Sequence, residues 1–284
     1  MFVIPFPQID PVLISFGPIA IRWYALAYVA GLLLGWWYLL RLLKINRLWE
    51  GVPFDGKPPI TAEQVGDLFV WAALGVILGG RVGYVLFYGL VYNTQYFLDN
   101  PLRVFAAWEG GMSFHGGMIG VVLAIIIYAR RGGMDMVKLG DLVAIVTPIG
   151  LFFGRVANFI NGELWGKPTS VPWAMIFPHA DSQPRHPSQL YEASLEGIVL
   201  FAILNLLIYR YGALRKPGLT IAVFFAGYAL FRILVEIFFR DSDQLVFGAN
   251  SGFTMGMALS LPMWAVAAFF FWYALYRIPV AAKT

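Results

Sequence analysis

Cysteine is absent from this 284-residue chain. That excludes a disulfide framework, a thiolate metal site and a cysteine nucleophile of the protein's own, so any thiol chemistry must use a thiol from outside. Histidine is scarce at three residues, and charged residues make up only 13%. With no HExxH motif and no dense carboxylate run, nothing asks for a metal ion or another cofactor. An intramembrane protease lacks a recognisable nucleophile–base motif. A transporter reading stays open but is weakened, because no convincing inverted repeat or pair of half-helices is present. The formal charge of +4 is ordinary for a polytopic protein and makes no case for nucleic acid. Residues 1–18 lack a basic n-region and carry Pro5, Pro7, Pro11 and Pro18. They read as an exposed or interfacial arm and not as a cleavable signal peptide.

What fills the chain is apolar sequence. At 60% hydrophobic residues it lies well above the roughly 45–50% of soluble domains. Its apolar runs repeatedly reach about 20 residues, the length that crosses a hydrocarbon core of about 30 Å as a helix. They lack the alternation of a membrane barrel. The expected fold is all-α: a polytopic membrane helix bundle forming one integral membrane domain over 1–284. Seven transmembrane helices are predicted, at 19–43, 65–88, 114–128, 137–157, 187–209, 219–239 and 255–276. Twelve of the 20 Lys and Arg fall on one side of this arrangement: Arg41, Lys44, Arg47, Lys57, Arg130, Arg131, Lys138, Arg210, Arg215, Lys216, Arg277 and Lys283. The positive-inside rule makes that side cytoplasmic, with the N-terminus out and the C-terminus in. Outside then lie the arm, a segment over 89–112 read as a short interfacial helix, and a polar loop over 161–186.

Eight basic residues are left without a topological explanation, and seven of them are Arg: Arg22, Arg81, Arg103, Arg155, Arg185, Arg232 and Arg240, beside Lys167. The planar guanidinium fork suits bidentate phosphate or carboxylate contacts. Arg155 opens a polar stretch, Gly154 to Gly166, in which Asn158, Asn161 and Glu163 follow directly on an apolar run. Such a cluster at the hydrocarbon boundary costs a few kcal/mol per charge unless it pairs or faces a wet cavity, which makes it a site hypothesis. Arg81 sits in Gly79-Gly80-Arg81-Val82-Gly83, where small residues let helices approach closely. It reads equally as a structural ion pair or as a ligand-binding group. Arg22-Trp23-Tyr24 reads as an interfacial anchor, with Tyr24 placed just inside. His115, flanked by glycines at the outer end of the third span, is a packing residue or an acid–base group. For His179, in the outer loop, surface exposure is the plainer account. Tyr228, Arg232, Glu236 and Arg240 are spaced at four and share one helix face, predicting a self-neutralising ladder that also aims Arg232 inward.

Together these stretches resemble the bacterial prolipoprotein diacylglyceryl transferase family. The resemblance rests on Arg22-Trp23-Tyr24, on Ser113-Phe114-His115-Gly116-Gly117, and on the whole run from Gly154 to Gly166. It continues through His186-Pro187-Ser188-Gln189-Leu190-Tyr191-Glu192 and through Phe231-Arg232, Val235-Glu236 and Arg240. These occur in family order over nearly the whole chain. One departure is Ala157, where the family usually has glycine; if that glycine served a left-handed turn or close lipid approach, Ala would cost something there. The resemblance implies transfer of the diacylglyceryl group from phosphatidylglycerol to the lipobox cysteine thiol in the signal peptide of a prolipoprotein. A thioether forms, glycerol 1-phosphate leaves, and the setting is the lipid bilayer of the bacterial inner membrane.

The residues carried over are Tyr24, His115, Arg155, Asn158, Asn161, Glu163, Gly166, Arg232 and Glu236, with Arg81, Tyr228 and Arg240 as further candidates. Their chemistry fits. A cysteine thiol is a weak nucleophile until deprotonated, and His115 is the candidate base. The donor phosphate gains a second negative charge as the glycerol carbon–oxygen bond breaks, so Arg155 and Arg232 suit stabilisation of the transition state. Asn158 and Asn161 can hydrogen-bond phosphate or glycerol hydroxyls. Glu163 and Glu236 are expected to orient the arginines, and Tyr24 to hold the lipid headgroup.

Overall fold

The computed structural model describes residues 4–7, 9–16, 19–51, 53–90, 94–106, 111–241 and 252–276. Its helices are α1 (Trp23–Leu43), α2 (Ala62–Tyr84), α3 (Thr94–Asp99), α4 (Phe114–Arg131), α5 (Met136–Ile160), α6 (Ser188–Tyr211), α7 (Leu219–Phe238) and α8 (Met255–Tyr276). Six of them, α1, α2, α5, α6, α7 and α8, are long and apolar enough to cross a membrane. The polytopic helical expectation therefore stands. Four short strands are added to it: β1 (Ile4–Pro5), β2 (Val12–Phe16), β3 (Ile19–Arg22) and β4 (Met175–Ile176). The first span begins at Trp23 and not at Ile19, because Ile19–Arg22 pairs antiparallel with Val12–Phe16 and only then turns into helix. Ile19 and Ile21, β-branched and alternating, favour that extended start. Two compact units result, one of Met1–Lys57 with Gly140–Thr284 and one of Pro58–Leu139.

In the unit of residues 58–139, α2 starts at a capping box in which Gln64 N donates to Thr61 Oγ1 and Thr61 N to Gln64 Oε1. Gly75, Gly79 and Gly83 then form a stripe against Gly116 and Gly120 of α4. A Cβ on Gly79 would lie 2.4 Å from the Gly116 carbonyl oxygen, and one on Gly83 2.5 Å from Gly116 Cα. The two backbones touch, so the small-residue reading of this stretch holds. Buried Arg81 reaches across to the following segment, donating from Nε to Val104 O at 2.9 Å, from Nη1 to Gly111 O at 3.2 Å, and from Nη2 to Arg103 O. Two of these carbonyls close a short 3-10 turn over Pro101–Phe105, and Arg81 supplies donors that its last residues do not find within that turn. Between 94 and 105 the backbone is helical and leaves Leu98, Leu102 and Phe105 uncovered. Residues 91–93 and 107–110 of the expected interfacial segment lie outside the described residues.

The other unit holds α1, α6, α7, α8 and α5 from Gly140 on. Gly31 lets α1 approach α5 closely, a Cβ there falling 3.1 Å from Gly150 Cα. Asp141 of α5, buried, caps α7 from the side: its carboxylate accepts from Gly218 N at 2.6 Å, Ile221 N at 3.1 Å and Thr220 Oγ1 at 2.6 Å. Satisfying otherwise orphaned amides at a helix start with a carboxylate is favourable in both hydrogen bonding and dipole terms. The arm is tied down by a parallel pairing of β1 with β4 and by Phe6, whose ring packs 5.3 Å from Phe159 and 5.2 Å from Phe177. Within α6, Ala193–Val199 is wound as a π-helix. Gly197 in this stretch lets α5 come close, since a Cβ would meet Phe152 Cβ at 2.7 Å.

Candidate active site

Arg155 lies near the end of α5 and meets two carboxylates from α6. Its Nη1 is 3.2 Å from Glu192 Oε2, while Nη2 and Nε donate to Glu196 Oε2 at 3.1 and 3.2 Å. Glu192 is the hub. Its Oε1 also accepts from Arg232 Nη1 and, at 3.1 Å, from Arg240 Nη1. Arg232 completes its fork with Glu236 Oε1 at 2.5 Å. Three arginines and three glutamates thus close a neutral cluster, and Glu192, Glu196 and Glu236 are all buried. A buried charge is tolerable only with such pairing, since removing one partner typically costs about 3–5 kcal/mol.

The predicted ladder is corrected in one respect. Arg232 and Glu236 pair along the helix as expected, but α7 ends at Phe238, and Arg240 N donates to Val235 O at 2.8 Å in the closing turn. Arg240 therefore leaves the shared face and pairs with Glu192 instead of Glu236. Tyr228 stays one helical turn before Arg232, stacked on Phe224 at 6.2 Å. Behind Glu236 stands Gly256 of α8: a Cβ there would lie 2.3 Å from Glu236 Oε1 and 3.1 Å from Arg232 Nη2.

A second polar group follows at the end of α5. Asn158 Nδ2 donates to Glu163 Oε1 at 2.7 Å and Asn161 Nδ2 to the same oxygen at 3.4 Å. Glu163 thus orients the two asparagines and not an arginine, a correction to its expected role. The chain bends sharply here, with Gly162 at φ 65° and Leu164 at φ 62°. It is pinned from α6, where Gln189 Nε2 donates to Glu163 O and Ser188 Oγ to Leu164 O. Gly166 sits where three segments cross. A Cβ on it would fall 2.4 Å from Phe239 O and 2.7 Å from His186 Cβ, so no other residue fits without movement. Ala157 is buried in ordinary helix and is not among the residues with positive φ, so the missing glycine leaves no strained turn.

Tyr24 receives a hydrogen bond from Tyr28 at 3.3 Å, and Tyr28 is in electrostatic range of Arg155 and Glu163. His186 Nδ1 lies 3.0 Å from Tyr191 Oη, which accepts from Trp173 Nε1 at 2.6 Å. Burial pushes the His186 imidazole below its ordinary pKa and favours the neutral ring. His115 is the second residue of α4, which Ser113 caps through Gly116 N; its side chain lies outside the described residues.

The sequence reading assigned no role to Glu192, although it stood in a quoted stretch, and overlooked Glu196, Tyr28 and Gly256. The signal for the glutamates was present. Glu192 and Glu196 are carboxylates four apart within an apolar span, as costly in lipid as any arginine.

Carboxylates engage three of the five N–H groups of Arg155 and two of those of Arg232 among the described residues. The remaining donors belong to side chains with 15% exposure each. Fold and site together define a polytopic helical membrane protein with a buried, charge-balanced arginine–glutamate cluster. Residues 11–273 match the prolipoprotein diacylglyceryl transferase family, and the chain belongs to it. Curated relatives named phosphatidylglycerol–prolipoprotein diacylglyceryl transferase include one from Rhizobium meliloti, 54% identical over 271 residues, covering 93% of this chain and 94% of the relative. Another, from Rhodospirillum rubrum, is 55% identical over 266 residues, covering 93% and 91%.

Proposed function

We propose that this chain transfers the diacylglyceryl group of phosphatidylglycerol to the lipobox cysteine thiol of a prolipoprotein, as the first step of lipoprotein maturation. The thiolate sulfur attacks the glycerol carbon that bears the phosphate, a carbon–sulfur bond forms, the carbon–oxygen bond breaks, and glycerol 1-phosphate leaves with the electron pair. The phosphate passes from one negative charge to two. Donors already fixed beside it gain more from the second charge than from the first, and that difference is what accelerates the step. Arg155 and Arg232 fill this role. The observation that carries the reading is their joint anchoring on Glu192, which holds at one place, in a chain of this family, two guanidinium groups with N–H groups left unengaged among the described residues.

In this reading His115 takes the thiol proton, while Asn158, Asn161, Tyr24 and Tyr228 bind the phosphate, glycerol or lipid headgroup. Glu163, Glu236 and Arg240 hold those groups in place, Gly166 permits the crossing beside them, and Arg81 ties down the carbonyls of Arg103, Val104 and Gly111. The proposal includes seven spans, with α4 as the third, in a single domain of the bacterial inner membrane. The N-terminus, and with it the site, faces outward. The test combines purified protein, phosphatidylglycerol and a lipobox peptide, with mass spectrometry for the thioether adduct. The adduct is expected from wild type. Its absence from folded protein that instead drives solute flux in liposomes would replace the transferase by a transporter.

A further inference from the structure

A second polar hollow lies at the other end of α6 from Glu192. Arg210 is 18 positions further along a helix long and apolar enough to cross a membrane, so the two sites lie toward opposite ends of one span. The hollow has a volume of 300 Å³ and is shaped by the turn after α1 and the turn after α6. Arg47, Tyr209, Arg210 and Arg215 line it, with buried Leu48 and Leu214 among its walls. Two of the cations are held in place: the Arg47 guanidinium lies 5.8 Å from the centre of the Tyr209 ring, and Arg215 Nη2 donates to Arg47 O at 3.3 Å. Among the described residues none of Arg47, Arg210 and Arg215 forms an ion pair, in contrast to Arg155, Arg185, Arg232 and Arg240. Uncompensated like charges converging on one hollow repel each other unless an anion joins them.

We infer that this hollow binds the phosphate of an anionic glycerophospholipid from the leaflet opposite the Glu192 cluster. The volume stands at the lower limit of ligand pockets, enough for a headgroup and not for a whole lipid. A lipid is favoured over a free anion by what adjoins the hollow. Ile203, Leu206 and Arg210 share one face of α6, and Ile203 and Leu206 are both uncovered by protein. Acyl chains lying along that face would bring the phosphate to the arginines, and basic pockets at helix ends bind anionic headgroups in this way. The positive-inside rule alone requires basic residues at this end, but not their convergence on a hollow.

The test uses full-length protein in phosphatidylcholine bilayers containing a photoactivatable phosphatidylglycerol, with the labelled peptides mapped by mass spectrometry. Label is expected within 203–216. The single variant R210Q, which leaves the Arg47 ring contact and the Arg215 hydrogen bond intact, should raise the half-labelling lipid concentration on the order of tenfold, the loss of one charge-assisted contact. The variant R47Q/R210Q/R215Q, shown folded by circular dichroism, should lose this label altogether. Equal labelling by a photoactivatable phosphatidylcholine, or unchanged labelling in both variants, would overturn the site. Suppression of the label by inorganic phosphate would overturn the lipid assignment in favour of a small-anion site.

Discussion

Glu192→Gln is the sharpest perturbation of the cluster, because it changes one charge and almost no volume. The carboxylate is engaged on both oxygens: Oε1 accepts from Arg232 and Arg240, while Oε2 accepts from Arg240 at 3.4 Å and forms an ion pair with Arg155. In the amide one acceptor becomes a donor, and whichever way it turns it faces a guanidinium. At least one charge-assisted hydrogen bond is lost, worth about 1.5–3 kcal/mol. The three arginines now share two carboxylates, and breaking a buried pair costs about 3–5 kcal/mol. Stability should fall by a few kcal/mol, measured by unfolding in detergent. In the adduct assay kcat should fall about 100-fold, because the displaced arginines no longer meet the developing charge. KM for phosphatidylglycerol should stay level or decrease, since the cluster gains a net positive charge that attracts the ground-state anion. Adding Arg240→Gln restores charge balance, and E192Q/R240Q should recover about 1–3 kcal/mol of the lost stability as a coupling energy. Wild-type kcat and stability in E192Q, or simple additivity in the double variant, would refute the hub.

Other perturbations separate the parts of the site. R155Q and R232Q should each lower kcat by about 100- to 1000-fold in the adduct assay while leaving the protein folded, as loss of one transition-state donor does elsewhere. Gly256→Ala should disturb the Arg232–Glu236 pair, since the added methyl would lie 2.3 Å from Glu236 Oε1; a loss of kcat without loss of lipid binding is expected, and unchanged kinetics would show that α8 yields there. Leu164→Gly should relieve a left-handed backbone worth about 1–2 kcal/mol and raise stability to unfolding, offset in part by the flexibility glycine adds to the unfolded chain. His186, whose pKa is lowered by burial, should make wild type less stable as pH falls below about 6.5, where the unfolded chain takes up the proton first. The loss should level off below the folded pKa, and H186N should flatten this part of the pH–stability curve.

Much of this architecture was legible from composition, because lipid is a demanding solvent. A 20-residue apolar run has few alternatives to a spanning helix, and polar residues inside one are costly enough to mark a site. Arg155 and Arg232 were found on that argument. The pairing partners were not, for a geometric reason: spacing along one helix predicts i,i+4 neighbours, whereas Arg155 and Arg240 choose carboxylates on α6, which no local rule can foresee. The end of α7 at Phe238 sufficed to send Arg240 elsewhere. Gly256 carried no signal either, since a glycine early in an apolar helix reads as packing until the atoms behind it are known. The strand at 19–22 was hidden by its own hydrophobicity, which suits a membrane helix as well as a paired strand.

The balance of the cluster bears on how an enzyme in lipid can hold a phosphate at all. An unpaired arginine at this depth would be costly to bury, and an arginine fully consumed by carboxylates would have nothing to offer a substrate. Here each guanidinium is anchored through part of its fork, Arg155 by Glu192 and Glu196 and Arg232 by Glu192 and Glu236. The anchoring fixes position and neutralises charge at rest, which in the proposed site leaves a singly charged phosphodiester loosely held. Under the proposed reaction a second charge appears during bond cleavage, and the donors left over are already oriented to meet it. Preorganisation of this kind costs no reorganisation at the moment of reaction. It also implies that strengthening ground-state attraction, as E192Q does by removing a carboxylate, should slow the enzyme even if lipid binds better.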